Sequence, residues 1–221
     1  MLSIMQNYFR TQAIGSGKRN RTRSSLIDSA IDVFAEKGIE DASIQEITAI
    51  AGLANGTFYN HFKDKDELAS ASCAAIALEI AKQFDQRMHD LNRGVSRVVV
   101  GSWAFLRLAL GAGAWAAVLV EQYQRRPLAA EFPALAYVRA DIERALAQGD
   151  VDVLVDELLL EQIAALMMAA LRRLLHAGYA PEIPVRTCEN ILRILGLTPL
   201  QARREVARVS KHPLLAVSLS P

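Results

Sequence analysis

The segment from Ser43 to Leu68 constrains the fold of this chain more than any other part of it. Its first half predicts a short helix, because Ser43 can cap the N-terminus, Glu46 can complete a capping box, and apolar residues recur behind them at helical spacing. Gly52 follows, where a chain that leaves a helix needs a positive φ. The polar run from Asn55 to His61 predicts a second helix, too short to be stable alone.

Two short helices joined by a glycine turn form a helix-turn-helix, which presents its second helix to the DNA major groove. The segment from about Arg21 to Leu68 resembles the DNA-binding domain of TetR-type (tetracycline-repressor-like) regulators. The resemblance rests on the helix LIDSAIDVFAEKG, the turn AGL, the segment GTFYNHF and the helix start KDKDEL, in the family's order and spacing. It covers about the first third of the chain. One departure is Ala54, because the family usually has Ser or Thr there; Asn55 is the nearest polar substitute.

The resemblance implies that these residues bind a double-stranded DNA operator. It implies contacts, chiefly to phosphates, by Thr57, Tyr59 and His61, and a backbone contact by Lys65. An amide can pair bidentately with adenine, so two asparagines are the candidates for base edges. The full set of DNA-binding residues that we expect is Arg23, Ser43, Asn55, Thr57, Tyr59, Asn60, His61 and Lys65. Capping or solvation is the competing interpretation of each.

The distribution of charge supports this interpretation more than the formal net charge, which is only +1. The basic residues that precede the first acidic residue, Asp28, are Arg10, Lys18, Arg19, Arg21 and Arg23. Alone, such a run is most simply a solvated, disordered terminus. Beside a helix-turn-helix, a basic arm commonly reaches phosphates or the minor groove. We therefore predict a flexible basic arm over residues 1–20 and a DNA-binding domain over 21–68.

The rest of the chain has helical patterns and no strand signal. Glycines and prolines separate predicted helices near 95–110, 113–125, 133–148, 151–177, 185–195 and 199–209. Asp64 with Glu67, and Thr198 with Gln201, predict capping boxes. The predicted fold is all-α: an N-terminal three-helix helix-turn-helix domain, then a C-terminal helical-bundle regulatory and dimerisation domain over 69–210. A frayed tail is predicted for 211–221.

In TetR-like proteins the last two long helices of each subunit form a four-helix dimer interface. By resemblance, we assign that role to the helices at 133–148 and 151–177. The second is apolar over much of its circumference and needs cover on two sides. The predicted interface residues are Leu135, Val138, Leu158, Ile163, Leu166 and Ala170. The alternative is that all of them belong to the core of one monomer.

The resemblance also implies a small-molecule effector bound inside the regulatory domain. The candidate residues are Trp103, Arg107, Trp115, Gln122 and Tyr123. Aromatic walls with a few polar groups suit a mostly apolar molecule, although such residues also occur as plain core. Arg107 lies in an apolar helix and needs a partner, which could be an acidic ligand or Glu121, unless it faces solvent.

Other functional classes lack a signal. The four histidines and two cysteines have no metal-ligand spacing, and no catalytic motif is present. We expect no cofactor, a reducing cytoplasmic location and no membrane segment, since Arg107, Gly111 and Gly113 interrupt the longest apolar run. The predicted function is a ligand-responsive transcriptional regulator, usually a repressor, that binds a palindromic operator as a homodimer. The alternatives are a small-molecule-binding or catalytic helical bundle with a vestigial helix-turn-helix, and a helix-turn-helix used only for protein contacts, which the basic arm disfavours.

Overall fold

The computed structural model describes residues 8–111, 113–125, 132–178 and 180–216, and confirms the predicted all-α fold. Within those ranges the chain forms twelve helices and no strand. The helices are α1 (Tyr8–Gln12), α2 (Lys18–Asp41), α3 (Ile44–Ile50), α4 (Asn55–Phe58), α5 (Lys65–Arg87), α6 (Gly94–Gly111), α7 (Gly113–Arg125), α8 (Leu135–Ala147), α9 (Glu157–Ala177), α10 (Glu182–Ile194), α11 (Pro199–Val209) and α12 (Pro213–Ala216). None of the helices in these ranges is long and apolar enough to cross a membrane.

The chain divides into two compact units. The first comprises Met1–Ile76 and Ala112–Arg126, and the second comprises Ala77–Gly111 and Pro127–Pro221. This division differs from the predicted domain boundary after Leu68. That position lies in the first turn of α5, and α5 continues without interruption to Arg87.

The first unit is built around α2, which packs against α1, α3 and α7. Leu26, Ala30 and Phe34 lie on its buried face at helical spacing, each almost fully covered. Gly38 interrupts the helix with φ 80°. Only glycine adopts that conformation without strain, so the chain turns there and the buried Ile39 follows.

The structure corrects the prediction of a flexible arm for residues 8–20, whereas residues 1–7 of that predicted arm lie outside the described ranges. Residues 8–12 form α1, and α2 already begins at Lys18. The apolar side chain of Ala13 is buried between them. The sequence pattern does not reveal this, because the groups that hold α1 in place come from α2, more than a dozen residues later in the chain.

The second unit is built around α6, which packs against α8, α9, α10, α11 and α12. Every residue from Gly94 to Val100 is buried. Gly94 is required by close packing, because a Cβ atom there would lie 2.3 Å from the carbonyl oxygen of Asp141 on α8. Cys188 on α10 is also buried, and burial raises the pKa of its thiol to about 12. The other free cysteine, Cys73, is also buried, and burial raises the pKa of its thiol to about 12 as well.

Two predicted element boundaries in the second unit are wrong. The helix predicted from residue 151 begins at Glu157, because Asp156 caps it by accepting a hydrogen bond of 2.9 Å from the Leu159 N–H. The preceding residues 151–155 are not helical. The tail predicted to be frayed contains α12, whose Leu214 and Leu215 are buried; residues 217–221 lie outside the described ranges.

The capping box predicted at the start of α11 is confirmed, with Thr198 and Gln201 bonded reciprocally.

Candidate functional site

The helix-turn-helix contains most of the local features that its sequence predicts. The Ser43 Oγ accepts a hydrogen bond of 3.1 Å from the Glu46 N–H and so caps α3. The Glu46 carboxylate does not complete the predicted box; it accepts a bond of 2.5 Å from Lys37 Nζ instead. Gly52 has φ 69° at the turn. Ala54 occupies the N-cap of α4 and gives it no side-chain hydrogen bond.

We call Asn55–His61 the recognition segment; it comprises α4 and the turn that follows. Its apolar anchors are Phe58, which is fully buried, and the adjoining Phe62, which is 2% exposed. Tyr59 is 60% exposed and packs edge-on against Phe58, with ring centroids 5.2 Å apart. Asn55 and Asn60 are exposed. The segment therefore presents polar and aromatic groups to solvent from a buried aromatic base.

Basic residues of α2 lie beside this segment. The Arg23 guanidinium lies 4.9 Å from the centroid of the Phe62 ring, at cation–π distance. Burial lowers the pKa of His61, and the positive charges of Arg19 and Arg23 lower it further. Thr57, like His61, is only partly covered.

The predicted contact residue Lys65 has partners within the chain. Its Nζ donates hydrogen bonds of 2.6 Å to the Glu40 carbonyl and 2.7 Å to the Ala42 carbonyl at the end of α2. Asp64 caps α5 by accepting from the Glu67 N–H at 2.8 Å, as predicted. The Glu67 carboxylate accepts a hydrogen bond of 2.6 Å from the backbone N–H of Lys63, the residue before the cap. These bonds fix the start of α5 against the end of α2.

Helix α7 also belongs to the first unit, where its side chains form hydrogen bonds with residues of two other segments. The Glu121 carboxylate accepts a bond of 3.3 Å from the Ile39 N–H, just after the break in α2. Gln122 is 3% exposed and donates from Nε2 to the Ser70 Oγ at 2.7 Å. Its buried Oε1 has no hydrogen-bond partner among the described residues. Two predicted effector residues, Gln122 and the half-buried Tyr123, thus belong to the first unit.

The other predicted effector residues differ in placement. Trp103 and Arg107 lie one turn apart on α6, in the second unit, and both are half-buried. The Trp103 Nε1 is buried, and within the described ranges it has no hydrogen-bond partner. The side chain of Trp115 lies outside the described residues. The structure therefore assigns the predicted effector residues to both units.

The predicted dimer residues need a correction. Leu135, Ile163 and Ala170 are buried within a single chain, at 7%, 2% and 7% exposure, so they are core residues of the protomer. Leu158 is 61% exposed, whereas Val138 and Leu166 are intermediate. The helical pattern does not separate apolar residues covered by the chain itself from those left open.

Sequence reasoning does not identify Asp28, which is 4% exposed on α2. Its carboxylate accepts hydrogen bonds from the Phe9 and Arg10 N–H groups of α1, at 3.1 and 2.7 Å. A carboxylate on the apolar face of a predicted helix is the signal that could have suggested a buried partner.

Comparisons with known proteins agree with this geometry. The family described as "Bacterial regulatory proteins, tetR family" matches residues 26–71. The chain is 38% identical over 64 residues to the uncharacterized HTH-type transcriptional regulator YvdT of Bacillus subtilis (strain 168), covering 29% of this chain and 33% of YvdT. It is 40% identical over 75 residues to the transposon Tn10 TetC protein of Escherichia coli, covering 34% of this chain and 38% of TetC. The match thus spans little more than a third of these curated relatives.

Solved structures extend the similarity along the chain. RolR in complex with resorcinol superposes with a TM-score of 0.66 and 25% identity, covering 92% of this chain and 98% of RolR. FadR from Bacillus subtilis in complex with stearoyl-CoA has a TM-score of 0.59 and 16% identity, covering 79% of this chain and 98% of FadR, and therefore supports the fold alone. The helix-turn-helix of this chain therefore matches that of the TetR family of bacterial regulatory proteins over residues 26–71, and the fold of the described chain is similar to that of RolR.

Proposed function

We propose that this protein is a ligand-responsive transcriptional regulator, a cytoplasmic repressor that binds a palindromic DNA operator as a homodimer. The recognition segment is the observation that carries the proposal. Its buried aromatic base holds the exposed Tyr59, Asn55 and Asn60 beside the cations Arg19 and Arg23. A short helix rimmed by positive charge suits the major groove and the phosphates at its edges.

The proposed DNA contacts fall into two groups. Tyr59, Thr57 and His61, with the cations Arg23 and Lys65, contact phosphates, and Ser43 supports them from the start of α3. Lys65 uses two of its three N–H donors on carbonyl groups, so one donor remains for a phosphate. Asn55 and Asn60 have exposed amides and are the proposed contacts to base edges.

Tyr59→Ala and Asn60→Ala separate the two groups. We expect Tyr59→Ala to weaken binding to operator and random duplexes alike, and Asn60→Ala to reduce only the preference for operator, by about 1–3 kcal/mol at one position of each half-site. Fluorescence anisotropy on both duplexes over a range of salt concentrations measures the two effects. Lys211→Ala, which removes an exposed cation from the second unit, is the control and should bind like the parent.

DNA binding by the unsubstituted parent protein tests the proposed function itself. A parent that binds no duplex at moderate salt would contradict the proposal and favour a helical small-molecule-binding protein. Equal losses on both duplexes for Asn60→Ala would move that residue to the phosphate group.

The effector side of the proposal concerns α6. RolR and FadR are each described in complex with a small organic ligand, resorcinol and stearoyl-CoA respectively. We propose an effector with an apolar body and a polar or anionic head that contacts Trp103 and Arg107. The buried indole N–H of Trp103 supports this, because it has no acceptor among the described residues and a ligand acceptor would recover the free-energy cost of burying it unpaired. Trp115, Gln122 and Tyr123 stay candidates from the sequence.

Trp103→Phe tests the indole donor, because phenylalanine keeps an aromatic ring and removes the N–H. Resorcinol, benzoate and octanoate are suitable first probes, titrated by calorimetry. We expect any probe that binds the parent to bind Trp103→Phe about 5- to 150-fold more weakly, the range for one missing hydrogen bond of about 1–3 kcal/mol. DNA affinity without probe should not change. Equal probe affinity in parent and variant would remove Trp103 from the site.

We base the proposed dimer interface on the apolar residues that remain exposed to solvent in the single chain. Three large apolar side chains are exposed on α8, on α9 and on the segment between them: Leu146 at 40%, Leu154 at 77% and Leu158 at 61%. Val138 and Leu166 are partly exposed on the same two helices. We propose that these five residues contact the partner subunit, because α8 and α9 pack against each other and exposed apolar groups on adjoining elements can form one patch of the kind that commonly marks an interface.

A further inference from the structure

The start of α2 is unfavourable by its own sequence. Gly17 is the N-cap residue and provides no side-chain hydrogen bond, and the first turn contains no acidic residue. Lys18, Arg19 and Arg21 instead place positive charge at the end of the helix where the backbone dipole is already positive. Local sequence alone therefore favours fraying of these turns, and another part of the chain must stabilise them.

The stabilising contact is the docking of α1 through Asp28. Both carboxylate oxygens are used, one by the Phe9 N–H at 3.1 Å and the other by the Arg10 N–H at 2.7 Å. These N–H groups belong to the first turn of α1, where a helix has no acceptors of its own. The carboxylate thus acts as an N-cap for α1 supplied from α2.

The turn between the helices transmits this docking to the start of α2. Ala13 is buried at 8% exposure after α1, and the Ser16 Oγ donates to the Ala13 carbonyl at 2.7 Å. The Arg21 guanidinium donates to the Ser16 carbonyl. The first turn of α2 is in this way bonded to a turn that α1 holds in place.

The same turns of α2 carry the cations of the proposed DNA-binding surface. Arg19 and Arg23 are four residues apart and therefore lie on one face of the helix. Both lie close enough to His61 to lower its pKa, and Arg23 also contacts the Phe62 ring. Fraying of the start of α2 would remove Arg19 from the recognition segment and leave Arg23 in the first ordered turn.

We propose that Asp28 is a positioning residue for DNA binding: by holding α1 against α2, it keeps the basic start of α2 helical and places Arg19 and Arg23 beside the recognition segment. The proposal rests on the proposed function. Asp28 itself contacts no DNA, and the N-terminal basic residues act as a pre-ordered surface, which lowers the entropy cost of binding.

The sign of the effect on DNA binding tests this role. Asp28→Asn removes a negative charge, so electrostatics alone predicts tighter binding to a mixed-sequence 30-base-pair duplex. Positioning predicts the opposite, because the Asn Nδ2 cannot accept the second N–H bond. We expect about threefold to tenfold weaker binding at low salt, and a salt-dependence slope smaller by about 1 for each phosphate that the variant no longer neutralises. Asp32→Asn, an exposed carboxylate one turn further along α2, is the matched control and should bind as tightly as the parent or more tightly.

A second variant and a structural measurement cover the case in which Asp28→Asn does not fold. Ala13→Lys displaces α1 without changing the core of α2, and it adds a positive charge, so weaker binding would again contradict simple electrostatics. Hydrogen exchange in the parent should show protected Phe9 and Arg10 amides, and neither variant should retain that protection.

Two outcomes have distinct meanings. Unchanged or tighter DNA binding by a folded variant without this amide protection would overturn the role of Asp28. A parent that shows the protection but binds no duplex would overturn the proposed function and, with it, this inference.

Discussion

We expect Leu158→Asp to yield a folded monomer and Ile163→Asp to yield an unfolded chain, although the two residues lie five positions apart on one helix. Leu158 is 61% exposed in the protomer and Ile163 is 2% exposed. An aspartate at position 158 stays solvated in a monomer and is buried without a partner only in the proposed dimer. At position 163 it is buried in either state. An uncompensated buried charge costs several kcal/mol, which is a large part of the stability of a domain.

Sedimentation velocity and circular dichroism distinguish the two results. Leu154→Asp, at a residue that is 77% exposed, should behave like Leu158→Asp. Both monomeric variants should also bind a palindromic duplex far more weakly than the parent, because a dimer contacts two half-sites at once. A Leu158→Asp variant that sediments as a dimer would place the interface elsewhere on the chain.

The parts of the fold that the sequence predicts well are those determined by neighbouring residues. The Ser43 cap, the positive φ of Gly52 and the Asp64 cap each depend on groups within about four positions, and all three are confirmed. The same locality explains the accurately predicted start of α11 at Pro199, after the N-cap residue Thr198. These signals specify one backbone conformation and need no knowledge of distant contacts.

The failures concern residues whose role depends on distant partners. The N-terminal α1 is bonded to Asp28, 18 and 19 residues away from the two N–H donors, and no local pattern reveals that bond. The predicted start of α9 is too early because Val151, Leu154 and Val155 fit a helical stripe. Asp156 is a local capping signal there, but apolar periodicity alone extends the helix past it.

The functional residues show the same limit. Periodicity identifies Leu158 and Ile163 equally as apolar, and only the fold shows that one is open and the other covered. The resemblance groups the predicted effector residues together. In the structure, however, Gln122 is bonded to Ser70 in the first unit, whereas Trp103 lies on α6 in the second. The sequence predicts the recognition segment more completely because its exposed polar groups lie within seven consecutive residues.

A second large effect is expected at Arg97, which is 4% exposed on α6. Its Nε donates to the Asp141 carboxylate on α8 at 2.5 Å, and its Nη1 donates to the Met88 carbonyl at 2.6 Å. Its Nη2 donates to Asp85 near the end of α5. One guanidinium thus connects three parts of the second unit. Burial raises the pKa of Asp141, and the Arg97 bond and charge oppose that rise.

We expect Arg97→Met to lower the free energy of unfolding at pH 7 by about 3–5 kcal/mol, because it leaves the Asp141 carboxylate buried without its cation. The double variant Arg97→Met with Asp141→Leu should recover most of that loss, since two apolar groups of similar volume can replace a buried ion pair at little cost. Urea denaturation of the parent, both single variants and the double variant completes the cycle. A double variant as unstable as Arg97→Met would show that packing around the arginine stem dominates.

The pH dependence of Arg97→Met gives an independent check on the role of charge. Without Arg97, the opposing effect on the pKa of Asp141 is removed, so the folded-state pKa rises further above the unfolded value. The unfolded chain then releases its proton at a lower pH than the folded chain does. The variant is therefore penalised above the folded-state pKa, and it should regain stability relative to the parent as the pH falls from 7 through that pKa. A deficit that stays constant over this range would mean that the missing stability comes from the hydrogen bonds to Met88 and Asp85, and that burial of the Asp141 charge contributes little.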